Sequence, residues 1–153
     1  ESGAGEVGLS GFHSGASVTA PNGGVVLAYG QSDGAGGDIQ LVRWDADGNS
    51  LGTVAVDSGD TSLTVSDVEY DGQGQLVVLG SRLDGGDADA NLLRVSPEGT
   101  VRRSRSFGFG SVRDLSLAFA LGARGRVVGA GLADPQTGFN VFGASLWLAV
   151  VDL

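Results

Sequence analysis

Carboxylates are the side chains of this sequence with the clearest chemical potential, and they concentrate in three polar stretches between apolar runs. These stretches cover residues 31–38, 81–90 and 132–144. The candidate binding residues that they contain are Asp33, Asp38, Asp84, Asp87, Asp89 and Asp134. Oxygen ligands at this density are the type that Ca²⁺ prefers, so calcium is one candidate ligand and an ordinary solvated loop is the alternative. Paired carboxylates are also the groups that hydrolyse glycosides when their separation is suitable.

Most other catalytic chemistry is excluded by composition. The chain has no cysteine, and its nine basic residues are all arginine. Thiolate catalysis, disulfides, Schiff bases and lysine-dependent phosphate loops are therefore excluded. His13 is the single histidine, and no persuasive nucleophile stands beside it. The glycine pattern of residues 3–8 lacks the strand and helix that a dinucleotide site needs, so we expect no dinucleotide cofactor. We assign no catalytic residue and no metal ligand, and Ca²⁺ is the one cofactor that the aspartates leave open.

The charge balance restricts the partners. The net charge is −9, and no basic stripe interrupts the acidic residues. Nucleic acid and anionic membranes are therefore not expected to bind, and no apolar run reaches the roughly 18 residues of a membrane span. Because the three polar stretches hold Arg82 as their only basic residue, we expect a ligand there to be cationic, metal-bridged or neutral.

The elements that must position these carboxylates repeat along the chain. Three apolar runs end at Gly30, Gly80 and Gly131, which are 50 and 51 residues apart. Asn-Gly and Asp-Gly turns separate Val- and Leu-rich runs of strand length, and no window has the periodicity of a long helix. The sequence therefore predicts one all-β domain of three four-stranded antiparallel units. We expect each recurring glycine to mark a close approach that a side chain would prevent.

The predicted units span about residues 17–56, 63–107 and 115–151 of a single domain, 1–153. The third unit lacks a fourth strand, and residues 5–12 have the alternating pattern of a strand that would complete it. Pairing of the two chain ends would remove an exposed sheet edge, which otherwise invites aggregation. We therefore expect residues 5–12 to form the closing outer strand of a last unit.

The second unit reads SDVEYDGQGQLVVLGSRLDGGDADANLLRVSPEGTVRRSRSFGFG over residues 66–110. Its order of strands, glycine turns and Asp/Gly loop resembles the bacterial β-propeller repeats called SBBP and delta-60 repeats, and the resemblance covers essentially the whole chain. The third unit departs from the pattern, with a longer loop and with Val150 where Arg43 and Arg94 stand. The resemblance implies propeller blades, an extracellular or periplasmic location and a binding or scaffold role.

Three blades do not close a propeller, because known rings need at least four. Two copies could form a six-bladed ring, or another chain could supply further blades. A monomer with a threefold β-trefoil or β-prism fold is the alternative. The chain starts at Glu1 and has no methionine, so we also expect a processed product or a fragment, with removal of a signal peptide as one route.

The function that these features favour is a non-catalytic β-propeller segment that binds or scaffolds and assembles with itself or with further blades. A carbohydrate-binding lectin is the alternative, in which Trp147 or Phe139 would stack on a sugar. A hydrolase that uses loop carboxylates is a third hypothesis. The expected partners are a second copy, a chain with further blades, or a glycan or protein ligand.

Overall fold

The computed structural model describes residues 12–31, 39–58, 63–84, 87–108, 113–122, 126–134 and 145–152. Every regular element within these ranges is a β-strand, which confirms the all-β prediction. No helix among the described residues is long and apolar enough to cross a membrane. Antiparallel pairing dominates, as expected for Val- and Leu-rich runs joined by tight turns.

The described strands fall into three consecutive units. Unit 1 contains β1 (Phe12–Thr19), β2 (Val25–Gln31), β3 (Ile39–Trp44) and β4 (Ser50–Val56). Unit 2 contains β5 (Leu63–Tyr70), β6 (Leu76–Asp84), β7 (Asp87–Val95) and β8 (Val101–Phe107). Unit 3 contains β9 (Arg113–Leu121), β10 (Arg126–Asp134) and β11 (Ser145–Asp152). Four strands per unit are thus confirmed for units 1 and 2, whereas unit 3 has three described strands.

Hydrogen bonding within each unit follows chain order, so that each strand pairs with the next. One parallel contact joins units 2 and 3, where Ala88 of β7 lies opposite Arg113 of β9. Along its opposite edge, β7 pairs with β6. The carboxyl-terminal half of β7 also pairs with β8. Unit 1 forms a separate sheet.

Glycine turns close the hairpins, as the sequence predicts. After β3 the Gly48 N–H donates to the Asp45 carbonyl at 3.1 Å, and the Asp45 N–H donates back across the turn at 3.0 Å. Gly48 has a φ of 83°, a conformation that a Cβ atom disfavours. The same bonding and a positive φ recur at Gly23, Gly74 and Gly99. These four turns all lie at the same end of their units.

Units 1 and 2 correspond at an offset of 51 residues. Arg43 lies opposite Val26 in unit 1, and Arg94 lies opposite Val77 in unit 2. The turn glycines after the third strands, Gly48 and Gly99, obey the same offset. The register of the strands therefore gives a more exact alignment of the units than the ends of the apolar runs.

This register corrects the alignment of the recurring glycines. The counterpart of Gly30 is Ser81, which is one position after Gly80. Close approach is nevertheless confirmed at both glycines. A Cβ atom on Gly30 would lie 2.0 Å from the Leu63 carbonyl oxygen of unit 2, and one on Gly80 would lie 2.0 Å from the Thr64 carbonyl oxygen of its own unit.

The units pack head to tail. We define the front face of unit 1 as the side of its sheet that carries Val26, Ala28, Ile39, Leu41 and Val56. All five side chains are buried against unit 2. The side of unit 2 that they contact, its back face, carries Leu63, Val65, Val68, Leu76, Val78, Leu93 and Val95.

Unit 2 repeats this arrangement towards unit 3. Successive side chains of a strand point to opposite sides of the sheet, so Val77, Leu79 and Leu92 form the front face of unit 2. They pack on Phe119 and Val127 of unit 3. The offset of 51 residues relates this front face to that of unit 1, so both junctions use the same pair of faces.

Three expected boundaries change. The stretch 81–90 is mostly strand, because β6 continues to Asp84 and β7 begins at Asp87. The stretch 132–144 begins inside β10, which ends at Asp134. Main-chain pairing does not depend on apolar side chains, so these polar residues extend the hairpins. Phe12 is expected to end the closing strand, but it opens β1 opposite Gln31, and residues 5–11 lie outside the described residues.

Candidate functional site

The predicted aspartates that the structure describes lie at one end of the sheets, opposite the glycine turns. Asp84 and Asp87 lie opposite each other at the end of the β6–β7 hairpin. Asp89 lies opposite Arg82 in the same hairpin. The remaining predicted residues are Asp134, at the end of β10, and Asp33 and Asp38, which are outside the described residues.

The register also brings Arg113 to this acidic end. Arg113 lies opposite Asp134 and, through the parallel contact, opposite Ala88, which stands between Asp87 and Asp89. The described residues at this end of the sheets therefore include two arginines, Arg82 and Arg113, where the sequence analysis expected Arg82 alone. Among the described residues, no group of three or more histidine and acidic side chains has the arrangement of a metal site.

A serine cluster that the sequence analysis missed joins units 2 and 3. The Ser116 N–H donates to Ser81 Oγ at 2.9 Å, and the hydroxyls of these two buried residues are 3.0 Å apart. Ser66 Oγ donates to the Ser116 carbonyl at 2.8 Å. These hydroxyls bond to backbone groups and to one another, so they align the strands. The recurrence of serine at positions 66 and 116, close to the repeat spacing, is the sequence signal for this cluster.

Asp67 adds a carboxylate link at the same junction. Its Oδ2 accepts a hydrogen bond from the Phe119 N–H at 3.0 Å, and its Oδ1 accepts one from the Val68 N–H at 2.9 Å. The junction between units 2 and 3 is therefore polar along the first strands of the two units, β5 and β9. At the junction between units 1 and 2, by contrast, Gly30 meets the backbone of β5 directly.

An ion pair occupies the turn end of unit 2. Arg94 Nε donates to Asp71 Oδ2 at 2.7 Å, and Arg94 Nη2 donates to Gln73 Oε1 at 2.9 Å. Burial raises the pKa of Asp71, but hydrogen bonds from the Gln75 and Gln73 N–H groups and from Arg94 outweigh this effect. The pKa of Asp71 therefore lies below its ordinary value of 3.8.

A cleft of about 320 Å³ opens between units 1 and 2 at the same turn end. Its lining is mainly apolar and includes the aromatic side chain of Tyr70 and the side chain of Arg43. The residues that line it include Ala20, Pro21, Arg43, Trp44, Tyr70 and Pro97. The cleft was not predicted, because the sequence does not show which residues of unit 1 meet which residues of unit 2.

Arg43 is the counterpart of Arg94, but its surroundings differ. Its Nη1 donates to the Pro97 carbonyl of unit 2 at 3.1 Å, and its Nε is buried without a hydrogen-bond partner. Burial raises the pKa of Tyr70, while the nearby charge of Arg43 acts in the opposite direction. The position that corresponds to Asp71 is Ala20, so unit 1 has no carboxylate for this arginine at that place.

Unit 3 exposes an apolar sheet face. On β11, Leu146, Leu148 and Val150 are 74%, 68% and 64% exposed. Val128 of the neighbouring strand β10 lies opposite Val150, as Val77 lies opposite Arg94 in unit 2. We call the side that carries Val128, Leu146, Leu148 and Val150 the open face. It is the counterpart of the front face through which units 1 and 2 each contact the next unit.

The last described strands of units 2 and 3 also differ. The outer strand β8 presents Arg102, Arg103 and Arg105 to solvent, as expected for a protected edge. In contrast, β11 has β10 as its only described strand neighbour and carries no arginine or lysine.

No protein-family model matches this chain, and no curated protein matches it either.

Proposed function

We propose that this chain is a non-catalytic β-propeller segment, a binding or scaffold element that assembles with itself or with a chain that supplies further units. The observation that carries the proposal is the open face of unit 3. The same face is buried at two successive junctions, and at the third position it is exposed to solvent. A further unit of the same kind would extend the stack in the order that units 1 to 3 establish.

The chemistry of the open face supports an assembly role. Its defining side chains, Val128, Leu146, Leu148 and Val150, are all apolar, so covering them requires no charge to be desolvated. Contiguous exposed apolar side chains on a soluble protein typically mark an interaction site. The edge of β11 that has no described strand neighbour would offer main-chain hydrogen bonds to an added strand at the same place.

The described polar groups also fit a scaffold better than an enzyme. Ser66, Ser81 and Ser116 bond to one another and to backbone groups, and Asp67 accepts from two backbone N–H groups. These side chains hold units 2 and 3 together. In this proposal the acidic end, with Asp84, Asp87, Asp89 and Asp134, is the binding surface of the assembled stack.

The mass in solution tests the assembly role. We expect light scattering during size-exclusion chromatography to find a species larger than the 15.3 kDa chain. Leu148→Arg places a charge in the centre of the open face and should shift the protein towards the monomer. Leu51→Arg, at an exposed leucine of unit 1, is the matched control and should leave the mass unchanged.

The outcomes distinguish self-assembly from assembly with another chain. Loss of the larger species in Leu148→Arg alone supports self-assembly through the open face. A monomeric wild type that captures a separately expressed further repeat unit, with capture lost in Leu148→Arg, supports assembly with another chain. A monomer that captures no such unit contradicts the proposal.

A further inference from the structure

The cleft between units 1 and 2 carries a separate inference, which does not depend on assembly through the open face. We propose that Arg43 binds the carboxylate of a small ligand whose apolar part lies against Tyr70 and Pro97. The first ground is a difference between two arginines at the same place in consecutive units. Arg94 forms an ion pair with Asp71, whereas the corresponding partner position of Arg43 is Ala20.

The unused hydrogen-bonding capacity of Arg43 is the second ground. A guanidinium group has five N–H donors in a planar fork that matches the two oxygens of a carboxylate. Arg43 donates from Nη1 to the Pro97 carbonyl, and its buried Nε has no partner. Because an unsatisfied buried donor is costly, a carboxylate in the place that Asp71 takes in unit 2 would stabilise this site.

The lining of the cleft defines the rest of the ligand. A volume of about 320 Å³ suits a small molecule or the end of a peptide. Tyr70 provides aromatic surface, and Pro21 and Pro97 add further apolar contact. The ligand class that fits is therefore a monocarboxylate attached to a compact apolar group. A free organic acid and a peptide that ends in an apolar residue share this chemistry.

The acidity of the chain does not prevent such binding. The net charge is −9, but in physiological salt the charges that lie more than about 8 Å from Arg43 are largely screened. Glu98 is an acidic residue whose carboxylate senses the charge of Arg43, and it is exposed on the turn that follows β7. Since solvent screens an exposed carboxylate, the buried part of Arg43 should dominate recognition inside the cleft.

A titration of the intact chain with matched probes tests the proposal. Phenylacetate represents the free acid, and the tripeptide Gly-Gly-Phe with a free carboxyl terminus represents the peptide. Phenylacetamide and the amidated tripeptide keep the apolar group and lack the charge. We expect at least one of the two carboxylates to shift the backbone N–H resonances of Arg43 and Tyr70 in NMR spectra, and the neutral analogues to bind about tenfold more weakly or not at all.

Two variants locate the site. Arg43→Gln should weaken the carboxylate by about tenfold, whereas Arg103→Gln removes the same charge from an exposed strand and should have little effect. Ala20→Asp introduces the carboxylate that unit 2 has, so it should block binding while Arg43 remains. This second variant keeps the test valid if Arg43→Gln fails to fold. Equal binding by acid and amide, no binding of either acid, or unchanged binding in Ala20→Asp would each overturn the proposal.

Discussion

Leu92 and Leu148 occupy the same place in units 2 and 3, yet Leu92 is fully buried and Leu148 is 68% exposed. Val77 and Val128, one strand further in, differ in the same direction. The side chains are alike, so the difference comes from the neighbour that each unit has. Unit 3 covers the front face of unit 2, whereas no described unit covers the open face of unit 3. In a protein built of repeated units, an apolar strand pattern therefore marks a sheet face that the next unit covers, so it indicates an interface between units.

A second difference limits how a further unit could dock on the open face. At one position of the front face, unit 1 has Gly30, unit 2 has Ser81 and unit 3 has Leu132. Gly30 lets the backbone of unit 2 come close, and Ser81 bonds to the Ser116 N–H of unit 3. Leu132 permits neither arrangement. An added unit must therefore leave room for a leucine there, which makes the third junction different from the first two.

The largest expected effect is that of an arginine at Leu92, measured against an arginine at the equivalent position of unit 3, Leu148. Leu92→Arg would bury an unpaired guanidinium between units 2 and 3 and should destabilise the fold by about 4 kcal/mol, a large share of the stability of a domain this size. Leu148→Arg should change stability by about 0.5 kcal/mol or less, because the side chain stays in solvent. Thermal unfolding followed by circular dichroism measures both. Similar melting temperatures for the two variants would show that the junction between units 2 and 3 does not form in solution.

Much of the fold follows from the sequence because turns and strand runs are local signals. Gly48 and Gly99 mark hairpin turns whatever the surroundings, and the Val and Leu runs give the strands. The extension of β6 to Asp84 did not follow, because main-chain pairing continued through polar residues. The alignment of Gly30 with Gly80 was also one residue in error, since the ends of apolar runs do not fix the register.

The candidate site was less predictable than the fold. The strand register places Asp84, Asp87, Asp89 and Asp134 at one end of the sheets, and their role in binding stays a prediction. The cleft at Arg43 depends on contacts between residues more than 50 positions apart, such as Arg43 with Pro97. No local pattern encodes such a contact, although a strict offset of 51 residues would have revealed that Ala20 replaces an aspartate.

A medium effect is expected at Gly30, where units 1 and 2 approach most closely. Gly30→Ala would place a Cβ atom 2.0 Å from the Leu63 carbonyl oxygen, so the two units must move apart, at a cost of about 2 kcal/mol. Gly72→Ala is the matched control, because a Cβ there meets nothing within 4 Å. Urea denaturation should show a lower midpoint for Gly30→Ala alone. Equal midpoints would mean that this junction tolerates a side chain and that Leu132 is no obstacle at the open face.

The smallest expected effect concerns the ion pair, which unit 2 has and unit 3 lacks, since Gly122 and Val150 stand at its two positions. The pKa of Asp71 is lowered in the folded chain, so its carboxylate contributes stability above its ordinary pKa of 3.8. That contribution is lost as the pH falls below 3.8 and through the lowered value. Asp71→Asn should therefore reduce stability by about 1 kcal/mol at pH 7, and its denaturation curve should converge with that of the wild type near pH 2.

Asp47→Asn removes a charge from an exposed turn of unit 1 and should have a smaller effect at pH 7. A difference in stability between Asp71→Asn and the wild type that stays constant from pH 7 to pH 2 would contradict the charged interaction with Arg94. Units 2 and 3 would then differ only in whether their apolar faces are covered.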